Sequence, residues 1–262
     1  TVILRKKCFL GDPMFSSAGE IKRFAPLQDH AAAERVILVH GLLMSGHVML
    51  PLARYLARQG FASILYDYPT RRATVDEHGA CFAAFIEKEI SGQADSPGQV
   101  HFVTHSMGGL LLRSALRKLS PAAWAKIGRI VMIAPPNKGS DVAEYVLKNL
   151  SFAGKIVKCL PDLSSVPHSF ANTFPEPDSG FDIGIIGGRY DLDVRESSTH
   201  LTHERDHLML PHAHTTLLFS RRTAEQARHV IVHGRFERVE KEKGEKNVRY
   251  CDHSCDGPGG VV

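Results

Sequence analysis

The chain has 262 residues, 43% of them apolar and 23% charged, which excludes a disordered polymer and suffices for one large globular domain. Its 32 basic and 28 acidic residues leave a net charge of +4, too small and too evenly spread for nucleic-acid binding. No apolar run approaches the roughly 18 residues of a membrane span, so no membrane insertion is expected. The five cysteines (Cys8, Cys81, Cys159, Cys251 and Cys255) are odd in number and mostly far apart. That is not a disulfide scaffold, and it predicts a reducing compartment, the cytoplasm. Residues 1–7 lack the basic-then-apolar order of a signal peptide, while Thr1 in place of methionine leaves room for a leader before it.

From Arg35 onward, short apolar runs alternate with helical patterns. Arg35–Val39 is β-branched and reads as a buried strand. Met49–Arg58 is amphipathic, with Leu50, Leu52, Ala53, Leu56 and Ala57 as its stripe and Gly60 as its stop. Phe61–Tyr66 is a second strand and Val75–Ile90 a second helix. Val100–Thr104 is a third strand that runs into Ser106 and a helix over Met107–Lys118. Ile130–Ala134 is a fourth strand. Helical spacing then covers Asp141–Leu160, Leu163–Gly180 is a Pro- and Ser-rich loop, and Phe181–Gly187 and His207–Leu210 restore the strand pattern before a helix over Thr223–His233. Strand–helix alternation at this spacing predicts an α/β fold, a mostly parallel sheet flanked by helices with its chemistry at the carboxyl ends of the strands. Residues 1–234 are expected to form one domain, with 135–180 as an excursion that could serve as a small lid. Arg235–Arg249 carries six basic and four acidic residues, so 235–262 reads as a charged, disordered tail.

Thr104-His105-Ser106-Met107-Gly108-Gly109 sits where a buried strand turns into a helix. A serine on such a sharp turn projects its hydroxyl from the sheet edge, and the N–H of the following residue, Met107, faces a developing oxyanion. The usual spacing is G-x-S-x-G, and Thr104 stands in for the first glycine. The competing reading is a serine that only caps the helix. Three further features favour chemistry. His40-Gly41-Leu42 follows the first strand and can aim the Leu42 N–H at the same point. Asp191 follows the strand that ends in Gly187. A histidine lies just past the last strand, in Pro211-His212-Ala213-His214. Serine, aspartate and histidine in this order, all at strand ends, fit a nucleophile with its base and orienting acid.

Over about Arg35–Phe236 the chain resembles the α/β-hydrolase superfamily in its lipase/esterase-like branch. The segments that carry the likeness are VILVHGL, VHFVTHSMGG, IAPPNKGS, LMLPHAHT and VIVHGRF. The resemblance implies a serine hydrolase of carboxylic esters, acting on small-molecule acyl esters through an acyl-enzyme. It also implies a triad of Ser106, Asp191 and His214, with Leu42 and Met107 N–H groups as the oxyanion hole. The acid stretch of the family reads Asp-Gly-x-Val; here it is Asp191-Leu192-Asp193-Val194, so Asp193 competes with Asp191. His214 stands where the family places its base, after Leu-Pro-x-x, with His212 as a solvent-exposed neighbour. His105 is expected to pack locally. No metal or organic cofactor is called for. An acyltransferase or thioesterase would use the same triad, and a non-enzymatic binding protein would need it broken.

Two other patterns in the sequence suggest metal chemistry. His203-Glu204-Arg205-Asp206-His207 spells H-E-x-x-H, the zinc-protease pattern, but the strand at His207–Leu210 leaves no room for the helix that pattern requires, so it reads as a charged turn. Cys251-Asp252-His253-Ser254-Cys255 has no second Cys/His pair nearby and reads as part of the tail.

Overall fold

The computed structural model describes residues 21–26, 34–92, 98–150 and 152–238. Within these, β1 (Lys22–Phe24), β2 (Arg35–Val39), β3 (Ala62–Tyr66), β4 (Val100–His105), β5 (Ile127–Ile133), β6 (Ile183–Gly188) and β7 (Asp206–Leu210) form one sheet in the order β1-β3-β2-β4-β5-β6-β7. All neighbours are parallel except β1, which runs antiparallel to β3. The helices are α1 (Leu50–Arg58), α2 (Val75–Ser91), α3 (Met107–Leu116), α4 (Pro121–Trp124), α5 (Asp141–Asn149), α6 (Ala153–Ile156), α7 (Phe170–Thr173), α8 (Glu196–Thr199) and α9 (Arg221–His233).

The apolar strands are buried on both faces, and period-two alternation sorts their side chains. Ile37 and Val39 pack with Phe82, Ile86, Leu110 and Leu111 of α2 and α3. Val36 and Leu38 pack with Leu52 and Leu56 of α1 and with Ala227, Val230 and Ile231 of α9 on the other face. Helix ends follow from local chemistry. The Thr74 hydroxyl accepts from the Glu77 N–H while the Glu77 carboxylate accepts from the Thr74 N–H, a capping box that starts α2. Ser220 caps α9, and Gly234 at φ 74° ends it in the left-handed conformation.

Three expectations need correcting. The helix predicted over Asp141–Leu160 is broken. It ends at Asn149, Leu150 takes an extended ψ of 83°, α6 is a single turn, and Pro161 opens a 3-10 turn. Its apolar stripe is not fully buried, since Val142, Tyr145 and Leu150 are exposed, so packing does not enforce a longer helix. β5 starts at Ile127 rather than Ile130, with a register shift opposite Val100–Phe102; there the His101 ring accepts from the Arg129 N–H at 2.9 Å. The edge strand β1 was missed, because three residues are too few to display a period.

The described start of the predicted tail packs on the domain. Phe236 is buried, its N–H donates to Asp206 at 2.9 Å, and Gln226 exchanges two hydrogen bonds with the Glu237 backbone. The rest of the tail, with Cys251 and Cys255, and Cys8 at the other end lie outside the described residues. Among the described residues no helix is long and apolar enough to cross a membrane.

The α2–α3 contact depends on Gly79, where an added Cβ would fall 2.1 Å from Ser114 Oγ. Ser114 would have to rotate off Asp76, to which it donates at 2.8 Å. Gly79→Ala gains up to about 1 kcal/mol in helix propensity but overpacks the contact at a cost of about 1–3 kcal/mol. Urea unfolding should therefore show a net loss of about 1 kcal/mol; a stabilised variant would contradict this packing.

Candidate active site

Ser106 occupies the first residue after β4, at φ 52° and ψ −126°. It is one of three described non-glycine residues at positive φ. The others are Leu43, just after β2, and Ala134, directly after β5. Each costs about 1–3 kcal/mol, so surrounding structure must impose it. At Ser106 the Ile133 carbonyl accepts its N–H at 2.9 Å, and its own carbonyl accepts the Gly109 N–H at 2.9 Å. Glycines allow the crowding: a Cβ on Gly41 would lie 2.8 Å from Ser106 Cβ, and one on Gly108 would lie 2.9 Å from the Val39 and His40 carbonyl oxygens. The hydroxyl does not cap the helix, so the capping alternative fails.

Met107 is the first residue of α3, where a backbone N–H has no intrahelical acceptor. The Leu42 N–H, too, has no acceptor among the described hydrogen bonds. The turn that holds Leu42 is fixed by a network that sequence reasoning missed. The buried His40 ring meets Asp67 at 2.7 Å and stacks on Tyr68 with centroids 4.5 Å apart, while Tyr68 donates its hydroxyl to the His40 carbonyl at 3.0 Å. Asp67 also accepts the Gly46 N–H at 3.1 Å, and Thr70 accepts the Leu43 N–H at 3.1 Å. Burial pushes the Asp67 carboxyl up, but the hydrogen bond and charge of His40 outweigh it, leaving Asp67 below the usual range. The position of Asp67, just past β3, was the available signal.

On the other side of β5, Asp191 and His214, the expected acid and base, follow the ends of β6 and β7. Gly188 must be glycine, since a Cβ would lie 2.5 Å from the His212 carbonyl. The Arg189 N–H donates to Leu210 and the Tyr190 N–H to His212, zipping the two loops together. His214 Nδ1 then meets Asp191 Oδ2 at 2.7 Å, with both side chains nearly buried at 10% and 1% exposure. The second Asp191 oxygen accepts the N–H groups of Asp193 and Val194, each at 2.9 Å. Asp193 is exposed and lies close enough to Asp191 and His214 for one potential ligand atom of each to fall within 4.8 Å of the others. A cation there would compete with the buried Asp191–His214 hydrogen bond. His212 is half-buried and lies outside this contact.

His105 bridges the two halves of the site. Its ring centroid is 4.7 Å from that of His214, and its Nε2 lies 3.2 Å from the His214 carbonyl. Among the described hydrogen bonds none joins the Ser106 hydroxyl to the His214 ring; catalytic contacts of this kind often tighten only around substrate. A cavity of about 380 Å³ is lined by Leu147, Pro161, Val166 and Phe170 of the excursion, and by none of Ser106, Asp191 or His214. Arg113, fully buried in α3, anchors that excursion by donating to the carbonyls of Asn137 and Phe174 at 3.1 and 2.6 Å.

A mostly parallel sheet with a turn serine, a histidine–aspartate pair and unpaired N–H groups at its carboxyl edge is an arrangement suited to a hydrolase fold. The model of the alpha/beta hydrolase family matches residues 36–239, and the chain belongs to that family. No curated protein sequence matches it. Among solved structures it is similar to the mature Bacillus licheniformis lipase BlEst2, at 15% identity and a TM-score of 0.60, covering 79% of this chain and 94% of that one. It is also similar to Est1E from Butyrivibrio proteoclasticus, at 13% identity and a TM-score of 0.58, covering 82% and 93%. A thermophilic esterase from Thermogutta terrifontis matches at 15% identity and a TM-score of 0.55, covering 84% and 95%. At these identities the likeness is one of fold.

Burial, with the neighbouring His214 adding to it, holds the His105 imidazole down at about 3 against an ordinary 6.5. The unfolded chain therefore takes up this proton first. The stability contributed by the neutral ring is complete above about pH 6.5 and is lost as pH falls toward 3. His105→Gln should flatten the decline in unfolding free energy between pH 6.5 and 5 by up to about 1.4 kcal/mol per pH unit. An unchanged slope in denaturant titrations would contradict it.

Proposed function

We propose that the chain is a serine carboxylic-ester hydrolase, with Ser106 as nucleophile, His214 as base and Asp191 as the orienting acid. The observation that carries this reading is the buried His214–Asp191 contact of 2.7 Å beside a serine held at φ 52°. An ion pair that served stability alone would not explain a strained serine directly after His105, whose ring packs at a tilt against the same histidine.

In this reading the Asp191 carboxylate accepts the Nδ1 proton, which leaves Nε2 as the proton acceptor for the Ser106 hydroxyl. The alkoxide attacks the ester carbonyl, and the Leu42 and Met107 N–H groups stabilise the oxyanion, each donor contributing about 3–4 kcal/mol. The imidazolium protonates the departing alcohol. Water, deprotonated by the same ring, then releases the acid from Ser106. Exposed apolar side chains on the loops that carry these groups support an apolar acyl substrate: Leu43 beside Leu42, and Tyr190 and Leu192 flanking Asp191.

Hydrolysis of p-nitrophenyl esters from acetyl to palmitoyl tests the assignment and sizes the acyl site. Ser106→Ala should lower kcat by about a million-fold and Asp191→Asn by about ten-thousand-fold, with the fold intact by circular dichroism. Asp193→Asn should stay within a few-fold of wild type. If Asp193→Asn were the crippled variant, the acid would be misassigned; if Ser106→Ala kept full activity, the mechanism would fall.

A further inference from the structure

We propose that Glu196, His200 and His207 form a transition-metal site, fitted to Zn²⁺, that ties the segment after Asp191 to β7. Each residue offers a ligand atom, and the three atoms lie within 4.8 Å of one another. Glu196 and His200 bracket α8, and His207 is the second residue of β7.

The hydrogen bonds around the two imidazoles fix their tautomers. The Glu204 carboxylate can only accept, so His200 Nδ1, 2.7 Å away, carries the proton it donates. Its Nε2 lone pair is left for a ligand. The Thr199 hydroxyl donates to the Glu196 carbonyl at 2.7 Å, so its oxygen must accept at 2.9 Å from His207 Nε2–H. That leaves the Nδ1 lone pair of His207. Each ring is thus backed by an acceptor on one nitrogen and open on the other, the outer-shell arrangement that orients histidine ligands. The rings stack with centroids 4.0 Å apart and planes 21° apart. Convergence on one ion needs a tilt of His200, whose side chain is 44% exposed and has room to move.

Two imidazoles and one carboxylate are a donor set for Zn²⁺, with Ni²⁺ and Cu²⁺ as competitors, and a poor one for Mg²⁺ or Ca²⁺. The set shares only His207 with the H-E-x-x-H stretch. There β7 replaces the required helix, and Glu204 supports a ligand instead of acting as a base. The location has a consequence that rests on the proposed function: the ion would cross-link the loop carrying Asp191 to the strand leading to His214. The metal site itself stands without that reading.

The test is calorimetric titration of the chelator-treated full chain with Zn²⁺, with Co²⁺ visible absorption as a readout of ligand geometry. One saturable equivalent is expected. His200→Ala should weaken it about 100-fold, and Glu204→Gln about 10-fold. The pair of half-buried His229 and exposed His233 on α9, with ring centroids 4.4 Å apart, is the competing chelate, and its double alanine variant should bind Zn²⁺ as wild type does. Zn²⁺ should raise the Tm of wild type and leave that of His200→Ala unchanged; His200 is exposed enough for that variant to fold. No saturable binding, binding indifferent to His200→Ala and Glu196→Gln, or binding lost with the His229/His233 pair would each overturn the proposal. None of these readouts depends on esterase activity.

Discussion

The close approach of two turns at the centre of the sheet's carboxyl edge is the constraint on which the site depends. The chain leaving β2 at His40–Gly41 and the chain leaving β4 at Ser106 pass so near each other that Gly41 has no room for a Cβ against Ser106. Gly108 is equally confined by the β2 carbonyls. The two glycines make room for the close approach at Ser106, and the hydrogen bond from its N–H to Ile133 pins its positive-φ conformation. Core packing on both sheet faces provides the stability against which about 1–3 kcal/mol of local strain is tolerable.

The second half of the site has a different origin. Asp191 and His214 belong to loops that follow neighbouring strands, β6 and β7, and cross-strand backbone bonds hold the loops in register. Both oxygens of Asp191 are engaged, one by His214 and one by two backbone N–H groups, so the carboxylate cannot swing to another partner. His105 completes the join, since the residue before Ser106 touches both the ring and the backbone of His214. Its neutrality matters here: a charged ring at that point would repel any positive charge on His214.

Much of this arrangement is legible in the sequence because it lives at strand ends. Buried parallel strands read as short β-branched runs, and the residues at or soon after their ends, Gly41, Ser106, Gly188 and His214, follow from them. Thr104, where the usual spacing has glycine, is fully buried in β4, and the crowded glycine of the turn is Gly109, whose Cβ would lie 3.0 Å from that of Pro135. Asp191 and Asp193 are chemically identical two residues apart, and only the fold of their own loop buries one and exposes the other. The His40–Asp67–Tyr68 network joins residues 27 and 28 positions apart in sequence and leaves no periodic trace. The break in the excursion at Leu150 was hidden because an amphipathic pattern reports what could be buried, and Tyr145 and Leu150 are not.

The most direct test of the account is labelling with a fluorophosphonate, which reacts with an activated serine hydroxyl and reports no substrate preference. Intact mass and peptide mapping should show one adduct per chain, on Ser106, with formation abolished by prior denaturation. No adduct under conditions that label a known serine esterase, or an adduct on another serine, would contradict an activated nucleophile at the β4–α3 turn.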